Sequence, residues 1–124
     1  MQVYADLSTT ITQTLTNSGK PYLPPNVFLN VNFPEVTDSK CRSISDFKFV
    51  LSRIYPAVPF VSGNDVETCG NDERLPTESK VVDTDDGCYV SISAGHADNK
   101  RDANAAEQKM VLQKLSSILS CLPD

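Results

Sequence analysis

Near its start the chain places apolar residues at the spacing of a helix face. Intervals of three, four and four positions separate the four residues that would line it: Tyr4, Leu7, Ile11 and Leu15. Such spacings bring side chains to one side of an α-helix. The opposite side is rich in threonine, which lowers helix propensity slightly, so packing must stabilise the element. We predict a helix over residues 3–17, ended by Gly19 and Pro21.

Three later segments have the pattern of β-strands. In residues 27–33 apolar side chains alternate with others, which is the period of two expected of a half-buried strand. A second apolar run covers residues 47–51, with an extension as far as Ile54. The third covers residues 88–93. We predict a strand at each.

The last periodic segment is helical. Over residues 103–122 seven apolar positions keep helical spacing: Ala103, Ala106, Met110, Val111, Leu115, Ile118 and Leu122. A short polar side chain before such a run can accept hydrogen bonds from the first-turn amides, and Asp98, Asp102 and Asn104 are the candidate N-caps. We predict a helix that ends at Pro123.

Between these segments, residues 55–79 follow neither period. Prolines and glycines interrupt them, and an unpatterned run of this length indicates an arm, a functional loop or disorder. Residues 80–82 then read as a short β-type run. An acidic turn at residues 83–87 leads into the third strand, and its Asp-Gly pair is typical of a tight turn between two such runs.

The order of elements predicts an α/β or α+β fold in a single domain spanning residues 1–124. The chain is 40% hydrophobic and 22% charged, with a net charge of -5. Acids flank its one adjacent basic pair, Lys100-Arg101, so we expect no nucleic-acid partner. No stretch approaches the ~20 apolar residues of a membrane span, so we expect no membrane partner either.

The cysteines indicate the redox compartment of the protein. There are four: Cys41, Cys69, Cys88 and Cys121. They form no CxxC pair and have no histidine nearby, unlike the ligands of a zinc site. Two disulfides in an oxidising compartment are the favoured interpretation over free thiols, and three connectivities stay open. The first residues lack the pattern of a signal peptide. Met1 is therefore either a cytosolic start or the start of a trimmed chain, and the cysteines favour the trimmed, secreted chain.

Candidate chemistry is sparse. His96 has no sequence partner that would make it a base or a ligand, so a surface or capping role is favoured over catalysis. The acidic turn with Asp83, Asp85 and Asp86 lacks the spacing of a calcium hand, and a solvated turn is favoured over a cation site. Asn30 and Asn32 are either the polar face of their strand or amide contacts to neighbouring loops.

Several segments resemble SurE-type phosphatases. PYLPPNVFLNVNFPEV, at residues 21–36, resembles the family strand that reads "LNVNVP" after a helix. TDDGCYVSISAG, at residues 84–95, resembles the family segment "TD…GYVSIT". Three further segments look like the secreted fungal branch with cysteines: SDFKFVLSRI, VETCGNDERLPTES and KLSSILSCLP. In this order the resemblance runs from the first helix to Pro123.

The resemblance implies a Rossmann-like α/β fold and a metal-dependent acid phosphatase or nucleotidase. In that family an Asp-Asp pair in an N-terminal "NDDG" motif holds a divalent metal. Here Asp85-Asp86-Gly87 matches the letters but follows no apolar N-terminal strand and lies at the late strand-entry turn. We therefore assign no catalytic, cofactor-binding or metal-binding residue to this chain, and no cofactor of its own.

Two hypotheses follow from the sequence. The first is that the chain is the C-terminal lobe of a secreted SurE-like phosphatase, inactive by itself. The second is that it is a stand-alone, non-catalytic secreted interaction or effector-like module derived from that family. In either case an unpaired edge of the strand at residues 27–33, or the unpatterned arm, could pair with another copy. A symmetric homodimer is expected on that basis.

Overall fold

The computed structural model describes residues 2–34, 41, 43–56, 63–71, 74–84 and 87–123. The elements in chain order are α1 (Gln2–Asn17), β1 (Val27–Asn32), a 3-10 turn (Ile44–Asp46), β2 (Phe47–Ser52), α2 (Glu78–Val82), β3 (Cys88–His96), α3 (Ala105–Lys114) and β4 (Leu119–Ser120). α1 and the first three strands match the sequence predictions to within a residue or two at most ends, except that β3 extends three residues further.

The sheet is mixed and has the strand order β1-β3-β2-β4. β1 pairs antiparallel with β3, and Leu29 lies opposite Ala94. β2 pairs parallel with β3 on one side and with the short β4 on the other. Strands alternating with helices around such a sheet make this an α/β fold, as the sequence predicts.

The main core lies on one face of the sheet. Apolar side chains of the central strand β3, including Val90 and Ile92, are fully buried there. They pack with residues from both long helices, such as Leu7 of α1 and Val111 of α3. α1 is also fixed at the end of β1, because the Tyr4 hydroxyl donates to the Pro34 carbonyl at 2.8 Å.

The opposite face of the sheet carries three buried serines together with the apolar side chains of Val50 and Tyr89. Ser52, Ser91 and Ser93 are all buried, and the Ser52 and Ser93 hydroxyls lie 2.7 Å apart. Small side chains leave room for α2, whose Val81 is fully buried and clusters with Val50. The crossover from β2 to β3 therefore covers this face with one short helix.

Residues 80–82 are helical, so the predicted β-type run is wrong. Thr77 caps α2 by accepting a hydrogen bond from the Lys80 amide at 3.3 Å, and Glu78 occupies the first turn. An N-cap followed by an acid favours helix strongly enough here to override the β-branched Val81 and Val82.

The predicted C-terminal helix over residues 103–122 is too long. Asn104 is its N-cap, one of the three candidates, but α3 ends at Lys114. The chain then turns and enters β4, where Leu119 lies opposite Phe49. Strand pairing with β2 thus replaces the last two helical turns, and the poor helix formers Ser116 and Ser117 lie at the change.

In its described part, residues 55–56, 63–71 and 74–79, the unpatterned segment packs against the domain rather than projecting as an arm, and its other positions lie outside the described residues. Its described residues before Thr77 contain no helix or strand, in agreement with the missing period. Nevertheless Asp65, Val66 and Leu75 are buried, and the two apolar ones belong to the main core. The segment is therefore an irregular part of the domain, and its last two residues belong to α2.

The four cysteines form two disulfides, which agrees with the expectation from the sequence. Cys41 pairs with Cys88, and both are buried in the main core. Cys69 pairs with Cys121, and both are exposed. In the described ranges no helix combines the length and the apolar character needed to cross a membrane.

Candidate functional site

A cleft opens at the carboxyl ends of β2 and β3. Because these strands are parallel, their ends meet at one edge of the sheet. The cleft has a volume of about 680 Å³, and its lining includes polar side chains from three parts of the chain, among them Arg53, Tyr55, Asp65, His96, Arg101 and Asp102. Ligands of open α/β sheets bind at this end of the strands. The cleft is therefore the candidate functional site.

Arg53, the first residue after β2, organises the floor of the cleft. One of its terminal nitrogens lies 2.9 and 2.8 Å from the two carboxylate oxygens of Asp65. Both side chains are almost completely buried, at 7% and 4% exposure. Asp65 also accepts hydrogen bonds from the Leu75 amide and the Gln108 side chain. This network satisfies a buried charge pair and fixes the irregular segment against α3.

Asp102 ties the strand ends together. Its carboxylate accepts hydrogen bonds from the amides of Ile54 at 2.6 Å and Tyr55 at 3.0 Å. It also lies 3.6 Å from the Arg53 guanidinium. The carboxylate therefore holds the turn after β2 next to the segment that follows β3, and it was a sequence candidate only as an N-cap.

His96, at the end of β3, lies beside the start of α3. Its Nε2 is 2.6 Å from Oε1 of Glu107. The same Glu107 oxygen accepts a hydrogen bond from the Asn104 amide, and Asn104 in turn accepts one from Glu107, which completes a capping box. The imidazole is therefore oriented by a helix cap. Catalysis by this pair would require a substrate to reach the other ring nitrogen.

The described residues do not fit the divalent-metal site that the resemblance implies for complete family members. Nowhere in the described ranges do three or more histidine, cysteine, aspartate or glutamate side chains converge to hold an ion. Two acids of the predicted turn, Asp85 and Asp86, lie outside the described residues. Asp83 is the C-cap of α2. We therefore derive no chemical step through a metal.

A second polar cluster links β1 to α2. The side-chain amides of Asn30 and Asn32 both donate to the Glu78 carboxylate, with Asn30 at 2.7 and 3.0 Å from its two oxygens. Burial raises the pKa of Glu78 above its ordinary value, and the charge of Asp102 adds to this, while the Asn30 hydrogen bond partly offsets it. The asparagines thus contact the helix α2 through their amides, whereas the sequence-based alternatives were the polar face of their strand and amide contacts to neighbouring loops.

Replacing Glu78 with glutamine is expected to remove one component of the pH dependence of stability. Because the folded-state pKa is raised, Glu78 contributes stability that is fully present below its unfolded pKa. That contribution is lost as the pH rises through the folded pKa. The unfolding free energy of Glu78→Gln minus that of wild type should therefore increase as the pH rises from about 4 to about 7.

Urea titrations at several pH values measure this difference. Glu67→Gln is the matched control, since Glu67 is exposed. A difference between Glu78→Gln and wild type that is flat across the range, or as large in the control, would contradict the expectation.

Several residues of the site were not predicted from the sequence. Arg53 and Asp65 are joined by tertiary contacts that no local pattern reveals. Glu107 could have been found, because Asn104 and Glu107 have the spacing of a capping box. Thr77 and Glu78 have the pattern of an N-cap followed by an acid, which indicates a helix start. The contact between Glu78 and β1 has no sequence signal.

No protein-family model, curated protein or solved structure matches this chain. The cleft is therefore interpreted from its own geometry. That geometry is a buried, fully paired Arg53–Asp65 floor and a histidine held by a helix cap, at the end of the sheet where ligands bind.

Proposed function

We propose that this chain is the C-terminal lobe of a secreted SurE-like, metal-dependent phosphatase or nucleotidase and carries no catalytic residue of its own. In the complete enzyme the lobe would finish the central sheet and form one wall of the active site. The metal ligands would come from the N-terminal half. The two disulfides are consistent with the secreted part of this proposal.

The main support is the open edge of β1. β1 is a terminal strand of the sheet, and within the described ranges no strand pairs with its outer edge. All six of its residues are only partly buried, whereas eight of the nine residues of β3 are buried. A terminal strand with an apolar side and an unpaired edge is suited to receive a further strand. We assign that place to the N-terminal lobe of the same protein.

A second support comes from the segments that carry the resemblance. The asparagine-containing strand at residues 27–32 and the strand at residues 88–96 lie far apart in sequence. They pair antiparallel along the whole length of β1. Two separate family-like segments thus occupy neighbouring strands of one sheet, as parts of one structural unit would.

The position and lining of the cleft suit the proposed role as one wall of an active site. It lies at the carboxyl ends of β2 and β3, where an α/β enzyme binds its substrate. Arg101 lines it and is exposed, whereas Arg53 is already paired with Asp65. The described lining therefore offers positive charge and hydrogen-bonding groups without a metal-binding set.

The coding sequence upstream of the Met1 codon tests this proposal. We expect an in-frame segment that encodes an apolar strand followed by Asn-Asp-Asp-Gly. A secretory leader joined directly to this chain, with no such segment, would overturn the proposal. That result would favour the non-catalytic secreted interaction module instead.

The isolated chain is expected to show no phosphomonoesterase activity. Metal-assisted hydrolysis needs ligands that fix the ion and leave a position open for substrate, and the described residues supply no such group. The assay uses p-nitrophenyl phosphate and nucleoside monophosphates with Mg²⁺ or Mn²⁺, from acidic to neutral pH.

A complete metal-dependent phosphatase provides the positive control for this assay. The decisive variants are Asp85→Ala and Asp86→Ala. The matched control is Asp98→Ala, which replaces an exposed acid elsewhere in the chain. Hydrolysis that a chelator abolishes, and that only the first two substitutions remove, would place a metal site in the acidic turn.

A further inference from the structure

A groove lies along the outer edge of β2, away from the polar cleft. β2 pairs with β4 at Phe49 and Val50, and Arg53, the first residue after β2, forms a bridge to Thr77. The groove opens where β2 passes from one of these partners to the other, and Leu51 lines it. Its volume is about 790 Å³, within the range of small-molecule sites.

The lining of the groove is largely apolar. Val50, Leu51 and Leu75 are buried and form its floor. Partly exposed leucines from the C-terminal part of the chain flank it: Leu112, Leu119 and Leu122. An apolar concave surface of this kind favours burial of a hydrocarbon chain or ring, at about 25 cal/mol for each Å² removed from water.

Within the described residues, the charged side chains on the rim of the groove are positive. Lys80 and Arg74 line it, and none of its described lining residues is acidic. This differs from the chain as a whole, which has a net charge of -5. The Arg74 guanidinium is held in place by donating to the Gly63 carbonyl. The Lys80 side chain is exposed on α2, and its ammonium makes no ion pair within the described part of the chain.

The Cys69–Cys121 disulfide also lines the groove. It joins the irregular segment, which supplies one side, to the residues that follow β4, which supply the other. A covalent link between the two sides limits their separation before any ligand arrives. Preorganisation of this kind reduces the entropy lost on binding.

We propose that this groove binds a small amphipathic anion, a hydrocarbon chain with a carboxylate head group. The chain lies on the floor formed by Val50, Leu51 and Leu75, and the carboxylate pairs with Lys80 at the rim. The charge of the rim selects the anion over neutral and cationic amphiphiles. This binding site is separate from the proposed role as a phosphatase lobe and does not depend on it.

Calorimetric titration of the purified chain with decanoate, below its micellar concentration, tests the proposal. We expect a one-to-one complex with a Kd of about 100 μM. Decanoyl-N-methylglucamide, a soluble neutral analogue with the same chain, should bind up to about fivefold more weakly, because it cannot pair with Lys80. Decyltrimethylammonium should bind more weakly still. Methyl NMR shifts should move at Leu112, Leu119 and Leu122.

A pair of charge reversals locates the head group. Lys80→Glu should weaken decanoate binding about tenfold. Lys109→Glu makes the same charge change at an exposed lysine outside the groove and should alter it by less than about twofold. Both positions are exposed, so both variants are expected to fold, and circular dichroism checks this.

Three results would overturn the proposal. The first is the absence of decanoate binding. The second is equal binding of decanoate, its neutral analogue and the cationic amphiphile, or equal weakening by the two lysine variants. The third is a dimer in sedimentation that excludes decanoate, since that would assign the groove to a second copy of the chain.

Discussion

Replacing Arg53 with methionine is expected to lower the free energy of unfolding by about 3–5 kcal/mol, because it leaves the Asp65 carboxylate buried without its charged partner. Asp65 is only 4% exposed. Its remaining donors, the Leu75 amide and the Gln108 side chain, are neutral. The irregular segment that carries Asp65 should therefore detach from β2 and α3 before the rest of the domain unfolds. Urea titration followed by circular dichroism measures the loss.

The control for this variant is Arg101→Met. Arg101 lines the same cleft but is exposed, so its loss should cost less than about 0.5 kcal/mol. The double variant Arg53→Met/Asp65→Asn should recover part of the stability, since it removes both charges. A loss below about 1 kcal/mol for Arg53→Met would show that water reaches Asp65 and that the pair is not a buried one.

Removing the Cys41–Cys88 disulfide is expected to cost about 4 kcal/mol, close to the loop-closure entropy of a cross-link between residues 47 positions apart. The Cys69–Cys121 bridge spans 52 positions, so its entropic contribution is about equal. The two differ in environment, because Cys41 and Cys88 belong to the main core. The Cys41→Ala/Cys88→Ala variant should therefore lose core packing as well and be the less stable of the two double variants. Urea titrations of both oxidised variants compare them directly.

Accessibility separates the two bridges in a second measurement. Thiol–disulfide exchange requires the attacking thiolate to reach a sulfur atom. Mild dithiothreitol under native conditions should therefore reduce the exposed Cys69–Cys121 bridge first, and alkylation should add two labels to the mass. Four labels appearing together, or labels on Cys41 and Cys88 first, would contradict the assignment of the buried bridge.

The longer elements could be predicted because their periodicity reflects burial on one side. α1 shows this, since Leu7 and Ile11 are buried whereas the threonines between them are exposed or partly buried. The strands do not show it, because all six residues of β1 are partly buried and eight of the nine residues of β3 are buried, so their alternation reflects side-chain type rather than burial on one side. The short elements could not be predicted from periodicity. α2 has five residues and is specified by its cap, and β4 has two residues that are strand only because β2 lies beside them.

The candidate site was predicted less well than the fold, for a related reason. The sequence allowed Asn30 and Asn32 amide contacts to neighbouring loops, but their acceptor Glu78 is in the helix α2, 48 positions from Asn30. The acidic residue that orients His96 lies 11 positions beyond it, in the first turn of the next helix. Polar networks join side chains that only folding brings together. The residues of such a network have no regular spacing in the sequence.

The strand order has a consequence for the rate of folding. Within the described ranges the sheet contains no hairpin, and even the facing residues Ser52 and Ser93 of adjacent strands are 41 positions apart. The chain must lose the entropy of closing long loops before any such pairing stabilises it. Folding is therefore expected in the slower, millisecond-to-second range. During synthesis at roughly 5–20 residues per second, β1 waits several seconds for β3 to emerge from the ribosome. Its apolar side is exposed throughout that interval, so the nascent chain, rather than the folded domain, is the form most prone to aggregation.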